Sequence, residues 1–361
     1  MDSLIFEGPS NSLSFGNVSL NLLREAYNKG IKVSFFPIGG TIDNDAYDTL
    51  EPSFKEWITE SFNSRLESVN KDIPSLKLWH LNGSEHRISK NQILYTFYEA
   101  SDPTPAEINL AKLQDKVAFS SSYASNIFSE KGVSDCTNVP CGFDPDFKKS
   151  HKTYLPDKTH FGLMGKWEKR KHTAEIIKAW AKKYGNDYKY QLSCCVTNPF
   201  FKPEEMNGII NHVLEGKRYG NINFLPYLKT NSEVNDFINS IDIDLTGLSG
   251  AEGWNLPAFN ATCLGKWSIV LNCTSHKDWA TEDNCILVEP QGTEDIYDNR
   301  FFIKGHPFNQ GVKFKLDEDK IIESMEKSLS KVSIPNSKGE SLKDKFTYEN
   351  TLNSLLTLID V

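Results

Sequence analysis

Short unbroken apolar runs and stretches of helical spacing take turns along this 361-residue chain. IKVSFFPI at 31–38, ILYTFY at 93–98, YQLSCCVT at 190–197, WSIVLNC at 267–273 and NCILVEP at 284–290 read as buried strands, as do the shorter GLMG and IDIDLTGL. Between them, Val18 and Leu22 fall on one side of a helix from about Val18 to Lys29, with Gly30 as its C-cap. TAEIIKAWAKKY reads as a helix that Gly185 ends, and a last helix near Thr347 to Ile359 has Thr347 as its N-cap. This alternation predicts an α/β protein with parallel sheets covered on both faces. The polar, proline-bearing KKSHKTYLPDKTH, residues 148–160, has no periodicity of its own and separates two such patterns. There is no internal repeat.

One stretch carries candidate chemistry. Residues 248–265 read LSGAEGWNLPAFNATCLG: a strand-like segment precedes them, a carboxylate and a glycine make a turn, and a small-residue helix follows. A strand, turn and helix N-terminus presents unpaired backbone N–H groups and the positive end of a helix dipole, which together form a seat for an anion. Glu252 stands beside that seat.

This stretch resembles the donor-binding element of retaining glycosyltransferases of the GT-B fold, the large family 4-like group, in which "EGFGLP" followed by "EA" grips a nucleotide sugar. The resemblance extends in order over nearly the whole chain. LIFEGPSNSLSFGNVSLNLLREAYNKGIKVSFFPI is similar to the family's first strand, glycine loop, helix and second strand; VPCGFDPDF resembles the "VPNGVD" that closes its first domain. ILYTFYEASDPTPAEINLAKLQDKVAFSSSYASNIFSEKGV resembles the intervening segment, FGLMGKWEKRKHTAEIIKAW resembles "GRLxxxKG" with its helix, and KFTYENTLNSLL resembles the "FSWENTA" helix. The resemblance implies two Rossmann-like domains facing across a cleft: residues 1–150 for the acceptor, 151–340 for the donor, and a helix over 341–361 that crosses back to the first domain.

It also implies roles. Glu252 would accept hydrogen bonds from donor-sugar hydroxyls, with the backbone of Gly253, Trp254, Asn255 and Leu256 facing sugar and phosphate. Trp254 and Asn255 replace the family's phenylalanine and glycine. Asn260 stands where a second glutamate holds the ribose, and an amide offers no charge and no two equivalent acceptors for a diol. Lys166, in place of the family's arginine, and Lys171 would neutralise the diphosphate; an ammonium lacks the guanidinium's planar fork. Arg170 is available to compensate, and a solvated basic helix start is the plain alternative for EKRKH. In the first domain, Gly16 would let the glycine loop approach phosphate. His80, Ser101 and Asp102 are acceptor-side candidates, and Glu99, at a strand's C-terminal end, is favoured over His80 and His86 as the reactive group beside Glu252 and Lys171. Phe200, Phe201 and the TSHKDW turn at 274–279 would border the cleft.

Composition narrows the rest. A net charge of −8 counts against a broad polyanion-binding face, though not against a local basic pocket. No apolar run approaches the roughly 20 residues of a membrane span, and MDSLIFEGPS lacks a signal peptide's basic start, so no stable membrane insertion is expected. Seven cysteines without repeating spacing fit reduced thiols and a cytoplasmic setting. No cofactor or metal is expected: a nucleotide-diphosphate sugar would be co-substrate, and IDID at 241–244 reads as strand alternation rather than a magnesium pair. The acceptor candidates are a polysaccharide or lipid-linked glycan, a small molecule, a protein and a hydroxylated base in DNA, the last of which would need a basic groove that the net acidity counts against. A catalytically silent binding subunit competes with the transferase reading, and a dinucleotide-dependent oxidoreductase lacks its glycine fingerprint.

Overall fold

The computed structural model describes residues 2–150, 152 and 154–359. Two parallel six-stranded sheets organise it. The first contains β1 (Ser3–Pro9), β2 (Lys32–Ile38), β3 (Ser75–Leu78), β4 (Gln92–Thr96), β5 (Lys116–Phe119) and β6 (Cys136–Asn138), in the order β2-β1-β3-β4-β5-β6. The second contains β7 (Thr159–Met164), β8 (Tyr190–Cys195), β9 (Ile222–Phe224), β10 (Ile243–Asp244), β11 (Trp267–Leu271) and β12 (Cys285–Val288), in the order β12-β11-β10-β7-β8-β9. Helices cover both faces, so the strands read as continuous apolar runs: β1 and β2 stack Leu4 on Val33 and Phe6 on Phe35 in parallel register.

In each sheet the strand order reverses once, between β1 and β3 and between β7 and β10. Such switch points leave a crevice at the carboxyl ends of the strands, and the two crevices face each other here. The segment 148–160 lies between β6 and β7; His151 and Thr153 within it lie outside the described residues.

The first helix begins at Ser14 and runs to Asn28, earlier than the periodicity indicates, because Ser14 and Asn17 add a polar turn to the apolar stripe. Gly16 is therefore in a helix rather than a loop. A β-carbon there would lie 2.0 Å from the carbonyl oxygen of Asn11, so glycine is needed for the turn to fold against the helix. The last helix, Tyr348–Ile359, packs on the Ser14–Asn28 helix and on β4, and the Thr347 hydroxyl accepts from the Asn350 N–H at 3.0 Å. Near the linker, Asp144 accepts from Asn17 at 2.5 Å and from Asn231 of the second half at 3.4 Å.

A hairpin follows β12: β13 (Thr293–Asp295) pairs antiparallel with β14 (Val312–Phe314). Residues 296–311 between them form a strap that reaches back to the first half. Asp102 N–H donates to the Gln310 carbonyl at 3.1 Å, Val312 N–H to the Ser101 hydroxyl at 2.8 Å, and Asn309 N–H to Glu107 at 2.9 Å.

Candidate active site

The cavity between the two switch points has a volume of about 450 Å³. Its first-half wall comes from the turn after β1 and the start of the first helix (Asn11 to Phe15), Trp79 and His80 after β3, and Phe97 and Glu99 after β4. Its second-half wall comes from Met164 to Lys166 after β7, Arg170 and Lys171, the turn Glu252–Pro257, and residues 227–231 ahead of the Asn231–Ser240 helix. No periodicity marks Tyr227–Asn231 as a wall, although Thr230 and Glu233 form a capping box that the sequence displays.

The donor-side turn has an unusual backbone. Asn255 sits at φ 66° and ψ 62°, a left-handed conformation that asparagine tolerates better than other residues with a β-carbon, which explains an asparagine where the resembling motif has glycine. Its side-chain amide is fixed from beneath: Nδ2 donates to the Thr246 carbonyl at 3.1 Å and to Nε2 of His276 at 2.9 Å, while His276 Nδ1 donates to the Leu271 carbonyl at 2.8 Å. That pair of bonds requires the neutral imidazole, and burial, opposed by Glu252, lowers the His276 pKa accordingly. Gly253 lets the turn meet the other half, because a β-carbon would come within 2.8 Å of that of Phe97; its carbonyl accepts from Ser120 at 2.7 Å. The Leu256–Cys263 helix then starts with its first turn toward the cavity, Pro257 occupying a position whose N–H would have no helical partner.

Six charged groups meet at this turn. Lys171 Nζ donates to Oε1 of Glu252, and Arg170 Nη1 lies 3.1 Å from its Oε2. Arg170 also binds Glu168 at 2.6 Å, lies 3.7 Å from Glu99, and donates to the Ala251 carbonyl at 2.5 Å. Lys166 is 3.6 Å from Glu168 and stands over the Phe200 ring, 5.6 Å from its centre. Burial alone would raise the pKa of Glu252, but Lys171 and then Arg170 outweigh it and hold the carboxyl well below the usual range. Glu99 goes the other way. It keeps 24% of its side chain open to the cavity, yet protein surrounds it closely enough that burial, helped by Glu252 and Glu168, raises its pKa against the pull of Arg170. His80 is exposed at the mouth of the cavity, yet desolvation by the protein packed around it, then Lys166, lowers its pKa, so the ring is neutral at pH 7.

The site residues expected from the sequence therefore divide. Glu252, Gly253, Trp254, Asn255, Leu256, Lys166, Lys171, Glu99 and His80 line one cavity. Arg170 joins them but is engaged by three carboxylates, so it organises the acids rather than standing free for a phosphate. Gly16 lies just behind the Asn11–Phe15 loop. Trp254 contributes backbone only: its indole is 1% exposed and packs on Phe259 and Phe346 in a core shared by both halves. Asn260 does not line the cavity; its side-chain oxygen accepts from the Asp144 N–H at 3.3 Å. Ser101 and Asp102 hold the strap instead of facing the cavity, and His86 is on the surface. The TSHKDW turn lies behind Glu252, whose N–H donates to the Thr274 hydroxyl at 3.3 Å. Glu168 escaped notice in the sequence because a carboxylate inside a basic run looks like ordinary surface charge.

No family model and no curated protein matches the sequence. Solved structures do. Sucrose-phosphate synthase from Thermosynechococcus elongatus superposes with a TM-score of 0.69 at 12% identity, over 99% of this chain and 98% of that one. Anabaena HepE in complex with UDP and glucose gives 0.68 at 11% identity over 100% of both chains. The lipopolysaccharide outer core galactosyltransferase WaaB gives 0.60 at 14% identity, over 98% of this chain and 99% of that one.

This chain has the GT-B fold.

At such identities the likeness establishes architecture, and it covers both sheets and the cleft of this GT-B chain. The chemistry must be argued from its own residues.

Proposed function

We propose that this protein is a glycosyltransferase that moves a sugar from a nucleotide-diphosphate sugar to an acceptor hydroxyl, with retention of anomeric configuration and without a divalent metal. The observation that carries this reading is the meeting of Lys166, Lys171, Glu252 and the Leu256–Cys263 helix N-terminus in one cavity at facing switch points. Loss of a nucleoside diphosphate builds negative charge on the leaving oxygens, and fixed cations and helix-end amides stabilise it as it forms. Lys171 is paired with Glu252. An entering diphosphate would share that ammonium and free Glu252 to accept hydrogen bonds from the sugar.

The acceptor would come from the first half, where neutral His80 and the carboxyl of Glu99 flank the reacting region. A raised pKa brings Glu99 nearer the range in which a carboxyl exchanges protons at working pH. The metal-free part is supported by what the IDID carboxylates do: Asp242 accepts from the His160 N–H at 2.8 Å and Asp244 from the Thr246 N–H at 3.0 Å, so both serve the backbone. A cytoplasmic setting belongs to the same reading, supported by seven free cysteines. UDP is a reasonable first nucleotide to test, because HepE is described with UDP and glucose.

Asn260, turned toward Asp144, favours one competing reading, a binding subunit without turnover. The first experiment is a thermal-shift screen over UDP-, GDP- and ADP-sugars, since a ligand of the folded state raises the unfolding temperature. One family of donors should stabilise the protein, and Lys166→Ala should remove most of the shift. No shift with any donor at millimolar concentration would count against a donor site.

A further inference from the structure

Behind the His80 wall lies a second cavity, of about 290 Å³. It shares Trp79, His80 and Phe97 with the charged cavity and is closed on its far side by the strap, through Phe301, His306 and Phe308. The partition between the two spaces is aromatic: Phe15 stands 4.5 Å from His80 and 5.1 Å from Phe97, and Trp79 meets His80 edge-on at 5.2 Å, centre to centre. His80 thus stands in the partition and lines both cavities.

We propose that this chamber is the acceptor subsite and that it takes a pyranose ring, the terminal sugar of a glycan or a simple glycoside. The inference rests on the transferase reading and adds the acceptor class. Three features select a sugar. The volume lies at the low end of small-molecule sites, roughly 300 Å³, which suits a single sugar ring. Aromatic walls present faces to the C–H side of a sugar ring. Asn82 and His306, both exposed, and Asn309 line its rim and offer amide and imidazole donors and acceptors for hydroxyls. A purely apolar acceptor would leave those groups unmatched and desolvated.

The strap gives the chamber a second property. His306, Phe308 and Asn309 belong to the second half, but Thr104 donates to the Pro307 carbonyl at 2.5 Å and Glu107 accepts from Asn309 N–H at 2.9 Å, so first-half residues hold that wall in place. The acceptor pocket is complete only while the halves are together. A sugar bound there presents a hydroxyl past His80 toward Glu99 and the donor.

The test is saturation-transfer NMR on the full chain with methyl α- and β-glycosides of glucose, galactose and mannose, with maltose and cellobiose, and with octanol and benzyl alcohol as apolar probes. Phe308→Ala and His306→Ala are compared with the unmodified protein, each also titrated with UDP, GDP and ADP. At least one glycoside or disaccharide should bind, with affinity falling roughly tenfold in each variant while nucleotide affinity is unchanged. A response to glycosides alone marks an open single-sugar site; a stronger response to disaccharides marks a glycan end, and either supports the proposal. Equal glycoside binding in the variants, binding of the alcohols only, or no response to any sugar would overturn it. Nucleotide binding that fails in every sample would instead overturn the donor site.

Discussion

Arg170 Nη1 lies 3.1 Å from Oε2 of Glu252, in a position where the guanidinium also reaches Glu168 and Glu99. One buried cation thereby holds three carboxylates around the cleft proposed to receive an anionic donor. Burial disfavours its charge, but Glu168 and then Glu252 and Glu99 more than compensate and raise its pKa. Removing it would leave acids without their partner inside protein, a change that typically costs about 3–5 kcal/mol. Arg170→Ala should therefore lower stability to urea by that order. Lys166, whose side chain is 34% exposed, should behave differently. Lys166→Ala should leave the urea midpoint nearly unchanged while weakening nucleotide-diphosphate binding about ten- to a hundredfold, the loss of one charge-assisted contact. A stable Arg170→Ala protein with weakened nucleotide binding would reverse the two assignments.

Glu99 should show a conflict between stability and activity. Its folded-state pKa is raised above the ordinary 4.5, chiefly by burial, so its contribution to stability is complete below the unfolded pKa and is lost as pH rises through the folded one. At pH 7 the folded protein therefore carries a penalty that a neutral amide would not. Glu99→Gln should match or exceed the unmodified protein in thermal stability at pH 7, with the advantage shrinking toward pH 4, and it should transfer sugar more slowly. Full activity in this variant would remove Glu99 from the reaction.

Trp254 is a prediction about packing. The indole sits where a sugar pocket would be expected from the motif, yet it is buried against Phe259 and Phe346 between the halves. Trp254→Ala should cost about 3–5 kcal/mol of stability, as large core truncations do. A variant of unchanged stability whose only defect is donor affinity would put the indole in the site after all.

The fold could be read well from the sequence because it depends on features that repeat: buried parallel strands are continuous apolar runs, and a helix cap such as Thr347 is visible beside its helix. The donor turn was legible for another reason, since glutamate, glycine and a helix-starting proline lie adjacent in the chain. Arg170, Glu168 and Glu99 were harder. Their importance comes from meeting across distances in sequence that no local pattern records. Gly16 reads as a loop residue in the sequence because the apolar stripe starts later than the helix does. Ser101 and Asp102 follow the strand that precedes Glu99, but which of them turns into the cleft depends on a strap more than 190 residues away in the chain.

Chelation should not stop the reaction. Lys166, Lys171 and the start of the Leu256–Cys263 helix line the cavity proposed for the diphosphate, and the Asp242 and Asp244 carboxylates already bind backbone amides. Transfer should persist in excess EDTA, and NMR of the product should show the donor's anomeric configuration. Activity abolished by EDTA and restored by manganese, or an inverted product, would overturn that part of the mechanism.

The central claim, that the charged cleft transfers sugar rather than merely binding nucleotide, is tested most directly by donor turnover without acceptor. The donor that raises the unfolding temperature most is incubated with the protein, and released free sugar and nucleoside diphosphate are followed by NMR. An active transferase leaks sugar to water, so the account predicts slow, stoichiometric release of both products that falls at least tenfold in Lys171→Ala. Binding of the donor with no release of sugar over many hours would contradict it and leave the cleft as that of a binding subunit.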